Sequence, residues 1–331
     1  MGGSGSTGSS LLQRMLGRHP RIVAGPEVGL FQFPVLFEEA EWTRRRMGLL
    51  HENFWGVKSR AFARRNGAKL LLDFYQNDPA ELRDRLKNSS SLPVFADQFF
   101  EKKLREKNAT HWVEKTPQNA QGFAAFLRSV PGGRVIHCLR DPYETMTSLV
   151  RRGHSEWVAA GHFVYQTCCA LSVRDDPRHH EIRYADLVQR TEPTLQTLCA
   201  FLGVNYAGEM LDPTAAERRE AVQMDGWKAA ETDPVRRVNL RKFDTLEEVN
   251  QQRISAALAT YRIPRAYAER WAIPYRSFAE ICAVLNYRQR PVDPRPFHQL
   301  LRRQRRADWW IRTRRLHPTG WGNYPGEMKF G

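Results

Sequence analysis

Apolar positions along the chain follow two alternating rhythms, one close to the helical period and one in short β-rich runs. After an opening of almost pure Gly and Ser over residues 1–8, Leu11, Leu12, Met15 and Leu16 fall on one helical face. The spacing predicts a glycine-rich loop feeding a helix that stops near Gly17, with His19-Pro20 as its terminator. A second helix is predicted over Leu92–Lys107, with Val94, Phe95, Phe99 and Leu104 turned inward. His111-Trp112-Val113 reads as a short strand running into Glu114-Lys115-Thr116-Pro117. Arg134-Val135-Ile136-His137-Cys138-Leu139 reads as a buried strand, closed by Arg140-Asp141-Pro142, a helix start with proline at the first helical position. Glu181-Ile182-Arg183-Tyr184 repeats the strand, and helical spacing follows through Leu195, Leu198, Phe201 and Leu202 to Gly203. Strands alternating with helices predict an α/β fold with a central parallel sheet flanked by helices. Helical insertions are placed at about 28–108 and 205–285, and no internal repeat is visible.

Composition narrows the class. With 331 residues, 41% hydrophobic, the chain can bury a sizeable core, which excludes wholesale disorder. No run reaches the roughly 18 apolar residues of a membrane-spanning helix, and Met1-Gly2-Gly3-Ser4 does not open like a secretory signal. Cys138, Cys168, Cys169, Cys199 and Cys282 are too scattered for a disulfide scaffold or a zinc site, which points to a reducing, cytoplasmic setting. Cys168-Cys169 reads as core, and His179-His180 as part of a polar loop with no metal role. The net charge of +15 is concentrated beyond residue 287, where prolines and arginines dominate and periodicity fades. That pattern divides the chain into a main domain over 1–287 and a basic C-terminal extension over 288–331.

Two stretches carry anion-binding chemistry. Gly3-Ser4-Gly5-Ser6-Thr7-Gly8-Ser9-Ser10 has the spacing of a P-loop, with Ser9 where lysine belongs. Glycines let backbone N–H groups converge, and the helix that follows brings its positive end to the same spot. Without the lysine that reaches a triphosphate, the loop suits a single 5′-phosphate better than ATP. Further on, Arg140 closes a strand, while Ser148 and Arg152 share one helix face four residues apart. Ligands in α/β sheets bind at the strands' C-terminal ends, so two guanidinium groups and a hydroxyl there suit a phosphate dianion.

At these stretches the sequence resembles sulfotransferases that use 3′-phosphoadenosine 5′-phosphosulfate (PAPS), in the branch containing tyrosylprotein and related bacterial enzymes. Gly2 to Leu12 resembles their 5′-phosphosulfate loop, and Leu139-Arg140-Asp141-Pro142 with Ser148 and Arg152 resembles their 3′-phosphate motif. Gly25-Pro26-Glu27, Glu114-Lys115-Thr116-Pro117 and Tyr184-Ala185-Asp186-Leu187-Val188 with Phe201-Leu202-Gly203 follow the family's order, covering about residues 2–240. The resemblance implies a P-loop-like fold and transfer of a sulfuryl group from PAPS to a hydroxyl or amine. It implies that Gly5, Ser6, Thr7, Gly8, Ser9 and Ser10 hold the 5′-phosphosulfate, and that Arg140, Ser148 and Arg152 hold the 3′-phosphate. Tyr184 would lie near the nucleotide, Glu27 would be the general base, and Lys115 would stabilise the leaving oxygen. PAPS is then a co-substrate, and no metal is called for. Acceptors stay open among carbohydrate, peptide, lipid and small-molecule hydroxyls.

The sequence departs from the family at two points. Ser6 and Thr7 stand where many relatives carry a cation, so charge must come from Lys115 or from Arg236-Arg237 in the late loop around residues 232–239. Only Met1 precedes Gly2, so the expectation is that the loop's leading strand is missing, with a true start upstream. Two other functions compete. A P-loop kinase would want a loop lysine and an aspartate-held magnesium ion after a later strand. A nucleic-acid binder would use the tail Arg302-Arg303-Gln304-Arg305-Arg306 with Trp309-Trp310, where guanidinium groups meet phosphates and rings stack on bases. The sulfotransferase reading expects no nucleic acid, while peripheral contact between the basic tail and an anionic membrane stays compatible with its charge.

Overall fold

The computed structural model describes residues 1–47, 72–213 and 241–314. Five strands, all in parallel pairs, organise these residues: β1 (Gly2–Gly3), β2 (Ile22–Ala24), β3 (His111–Val113), β4 (Val135–Leu139) and β5 (His179–Arg183). One sheet runs β1-β4-β5 and a second pairs β2 with β3. All five residues of β4 are buried, as an inner parallel strand requires, whereas only Ile182 is buried on the edge strand β5. The α/β fold with a parallel sheet flanked by helices is therefore present.

A strand does precede the loop. Gly2 pairs with His137 and Gly3 with Cys138. The Met1 nitrogen donates to Glu114 O at 2.9 Å, and Asn119 Nδ2 donates to Met1 O at 3.3 Å. The short strand is thus anchored on both sides.

Helix α1 (Ser9–Arg18) buries Leu11, Leu12, Met15 and Leu16 and ends at His19, as their spacing predicts. The first insertion carries α2 (Glu39–Arg45), α3 (Pro79–Asn88) and α4 (Leu92–Lys107). The Ser91 hydroxyl caps the first turn of α4, and Asn108, in the left-handed conformation, closes its end. Leu92, Phe95, Ala96, Phe99 and Phe100 form its buried stripe. Val94 corrects the sequence reading: it lies off that stripe and is 41% exposed. Helix α5 (Phe123–Ser129) leads to β4, which feeds α6 (Pro142–Arg151) with Asp141 as N-cap.

Helix α7 (Glu156–Leu171) is buried without a break from Ala159 to Leu171, the pattern of a helix enclosed on all sides. Cys168 and Cys169 lie inside it, and burial pushes both thiols well up, so they are inert core groups. Helices α8 (Tyr184–Gln189) and α9 (Thr191–Leu202) follow β5, and Gly203 ends α9 at φ 78°. The second insertion contributes α10 (Glu248–Thr260), α11 (Arg265–Arg270) and α12 (Phe278–Leu285). His179-His180 opens strand β5 and is not a loop, because Val135 and Ile136 pair with it.

Beyond residue 287, α13 (His298–Arg314) is helical, and its Leu301 joins the core cluster around α7. Trp157 N also donates to Gln304 Oε1 at 3.1 Å. Among the described residues no helix is long and apolar enough to cross a membrane.

Candidate functional site

The loop from Gly3 to Ser10 hangs between β1 and α1. Gly3 has φ 147°, and a Cβ there would sit 2.4 Å from Cys138 O, so only glycine lets the loop leave β4 so closely. Ser6 takes φ 70°, uncommon for a residue with a side chain. Thr7 Oγ1 donates to Ser4 O at 2.8 Å, which ties the loop across its own neck. Gly8 caps α1 at φ 84° against the ring of Tyr184. The N-terminal end of α1, with its free first-turn amides, thus lies beside that ring.

Gly8 supplies a test of this packing. A methyl group on Gly8 would lie 2.3 Å from Tyr184 Cδ2, with the backbone already at positive φ. Gly8→Ala is expected to cost about 1–3 kcal/mol of stability and to displace Tyr184. Thermal melting and nucleotide titration check it; a wild-type midpoint with wild-type affinity would contradict the packing.

Arg140 follows β4, where the sheet's C-terminal ends face the loop. Its Nη1 donates to Ser6 O at 3.2 Å and, more weakly, to Ser148 Oγ at 3.4 Å. Its guanidinium lies 4.8 Å from the centre of the Tyr184 ring and pairs with Glu144 at 3.4 Å. Burial draws its pKa below the ordinary value, opposed by Tyr184, Glu144 and Asp141. Glu144 Oε1 also accepts from Phe243 N at 2.8 Å, which folds the segment after residue 240 back onto α6. That places Lys242 beside the cluster: burial lowers its pKa, and Arg140, Arg151 and Arg152 lower it further. Arg152 itself is exposed in the turn that ends α6. The structure therefore brings Arg140, Ser148 and Tyr184 to the loop, with Arg152 at the outer edge, and adds Lys242.

Beyond β3, the three residues Glu114-Lys115-Thr116 divide two tasks. Glu114, 2% exposed, faces inward: its Oε1 accepts from Val28 N and Gly29 N at 2.9 Å each and from Thr116 Oγ1 at 2.7 Å. It thereby fixes the backbone that carries Glu27. Lys115 reaches the opposite way, donating to Ser10 Oγ at 3.0 Å and pairing with Glu27 Oε1. Its side chain is 3% exposed, whereas that of Glu27 is 30% exposed. Tyr75 Oη donates to Pro26 O at 3.0 Å and holds the same turn from below.

Several contributors escape a reading of the sequence. Glu144 is four residues after Arg140, a spacing that signals a helical ion pair, but its second partner comes from a distant segment. Lys242 stands where no periodicity marks it. Glu114 lies inside a recognised motif, yet its role as an inward-facing anchor shows only in three dimensions. Arg236-Arg237 falls outside the described residues.

Comparison with known proteins identifies the family. The model of the sulfotransferase family matches residues 1–208. No curated protein matches the sequence. Among solved structures, the sulfotransferase domain from the Synechococcus PCC 7002 olefin synthase superposes with a TM-score of 0.51 at 20% identity, covering 74% of this chain and 86% of that one. The sulfotransferase domain from the curacin biosynthetic pathway gives 0.47 at 21% identity, covering 87% and 96%. Sulfotransferase STF9 from Mycobacterium avium gives 0.40 at 14% identity, covering 83% and 77%. With the family model spanning the loop, the Glu114-Lys115-Thr116 segment and the Arg140 cluster, the chain belongs to the sulfotransferase family.

Proposed function

We propose that the protein transfers the sulfuryl group of PAPS to a hydroxyl, or less favourably an amine, by in-line attack. The observation that carries this reading is the Lys115 ammonium, held between Ser10 at the end of the loop and the Glu27 carboxylate. A cation shared by an anion-binding loop and a half-open carboxylate is what sulfuryl transfer needs at its centre. The site suits an anionic nucleotide: Ser6 Oγ and Arg140 Nε are buried beside the loop without a hydrogen-bond partner among the described residues.

Bound PAPS would supply the activated sulfuryl group and a bisphosphate that departs with the electron pair of the broken S–O bond. The amides of Gly5 through Ser9, with the hydroxyls of Ser6, Ser9 and Ser10, receive the 5′ end; Thr7 acts through its amide, because its hydroxyl already bonds Ser4 O. Arg140, Ser148 and Arg152, joined by Lys242, hold the 3′-phosphate, and Tyr184 lies against the nucleotide. Glu27 takes the proton from the acceptor hydroxyl. Lys115 moves its hydrogen bond from Glu27 to the bridging oxygen as charge develops there, which frees the carboxylate to act as base. The buried cysteines, all unpaired, suit a reducing cytoplasmic setting.

The kinase alternative loses ground on two residues. Ser9 replaces the loop lysine, and Asp141 Oδ1 is engaged as N-cap of α6, accepting from Glu144 N at 2.9 Å. Calorimetric titration with 3′,5′-adenosine bisphosphate, 5′-AMP and magnesium ATP tests the proposal. Tight binding of the bisphosphate, with marked loss when the 3′-phosphate is absent, is expected. Preference for ATP, or equal binding of all three, would overturn the reading.

A further inference from the structure

Strand pairing brings together three side chains that sulfuryl transfer does not use. In the β4–β5 register His137 stands opposite Glu181 and Val135 opposite His179. Side chains alternate along a strand, so His137, His179 and Glu181 leave the same face of the sheet. Their potential ligand atoms all lie within 4.8 Å of one another, and the two imidazole rings are 5.8 Å apart.

His137 is 0% exposed, and neither of its ring nitrogens has a hydrogen-bond partner among the described residues; His179 Nε2 has none either. A fully buried imidazole with both nitrogens unpaired is an expensive arrangement that needs a reason. Burial, reinforced by His179, Arg174 and Arg183, pushes the His137 pKa well below its ordinary value. Burial, with His180 and Arg174, brings that of His179 down to about 4. A neutral imidazole presents the lone pair through which histidine binds metal, and an unpartnered ring nitrogen leaves that lone pair available.

We propose that His137, His179 and Glu181 form a binding site for a divalent transition-metal ion of the zinc class. Two imidazoles and one carboxylate match the ligand set that zinc accepts with an open fourth position, whereas magnesium and calcium prefer all-oxygen surroundings. An ion between the three side chains would sit about 2.0–2.2 Å from each ligand atom. Arg174 holds both Glu181 oxygens, at 2.9 and 3.4 Å, and donates to Val284 O at 3.1 Å; it is 39% exposed, and a bound ion would displace it from the carboxylate towards solvent. Arg183 is drawn away, donating to Leu285 O at 3.2 Å and lying over the Tyr287 ring. His179 lies in a paired strand and not in a loop, so its position opposite the buried strand is fixed by the register.

The site would staple the edge strand to the buried one. Arg140 lies three residues beyond His137 and Tyr184 three beyond Glu181, roughly 10 Å along their strands. The ion would hold in register the two strands that end in the stacked Arg140–Tyr184 pair.

The test uses tag-free, full-length protein stripped with EDTA and titrated with Zn²⁺. One equivalent is expected to bind and to raise the melting midpoint by roughly 4 °C at a hundredfold excess over Kd, with no rise from Mg²⁺. Co²⁺ in its place should show visible d–d absorption of a nitrogen- and oxygen-ligated site. His179→Ala and Glu181→Gln, both at half-buried edge positions, should each abolish the zinc-dependent rise. Absence of the rise in wild type, or its persistence at full size in both variants, overturns the proposal.

Discussion

Glu27→Gln is expected to lower turnover by about 10²–10⁴-fold, the span that a positioned general base supplies, while leaving the affinity for 3′,5′-adenosine bisphosphate near wild type. Glutamine keeps an oxygen that can accept from Lys115 but loses both the capacity to take a proton and the charge that pairs with the ammonium. The backbone of Glu27 is held by Glu114, not by its own side chain, so the variant should stay folded, with its melting midpoint lowered because the Lys115 ammonium, 3% exposed, loses its counter-charge. Single-turnover rates with saturating co-substrate give the decisive readout, because they report the chemical step alone. Lys115→Ala should also lower turnover at least tenfold. Because Lys115 touches both Glu27 and Ser10, the double variant should lose far less than the product of the two single losses. Wild-type turnover in Glu27→Gln would remove this carboxylate from the mechanism.

What the chain reveals before folding depends on whether a feature is local. Helix α4 is legible to its ends because the Ser91 cap, the Pro93 start and the Asn108 stop all lie within a few residues of the stripe they bound. Its one misplaced residue, Val94, shows the limit: an apolar residue next to the stripe counts as core in a pattern and as surface on a cylinder. Strand β2, three residues long, is too short for a periodic signal, and its pairing with β3 spans a helical insertion. The candidate anion site divides in the same way. Arg140 and Ser148 are marked by a strand end and by helix spacing, and Tyr184 by the family resemblance, whereas Glu144 and Lys242 acquire meaning only when Phe243 N bonds Glu144. His137 is the extreme case. Inside Val135-Ile136-His137-Cys138-Leu139 it reads as one polar residue in a buried strand, and its partners are set by a register that no local pattern encodes.

Arg140→Ala is expected to weaken bisphosphate binding by roughly 10–100-fold, the loss of one charge-assisted contact of about 1.5–3 kcal/mol. Lost affinity alone would be ambiguous, because the same change strands Glu144. That carboxylate belongs to a residue 5% exposed, and removing one partner of a buried pair destabilises by about 3–5 kcal/mol. Selectivity separates the two effects. If Arg140 meets the 3′-phosphate, the preference for 3′,5′-adenosine bisphosphate over 5′-AMP should fall by the same factor as the affinity, since 5′-AMP never used the lost contact. A variant that is merely loosened should lose affinity for both nucleotides in proportion and keep their ratio. Adding Glu144→Gln to Arg140→Ala supplies the control. The neutral amide can still accept from Phe243 N and no longer leaves a buried charge unpaired, so the melting midpoint should recover. Selectivity should not recover, because stability depends on satisfying Glu144 whereas recognition depends on a cation at the end of β4. Return of the nucleotide preference together with stability would show that Arg140 shapes the site through Glu144 and does not touch the 3′-phosphate.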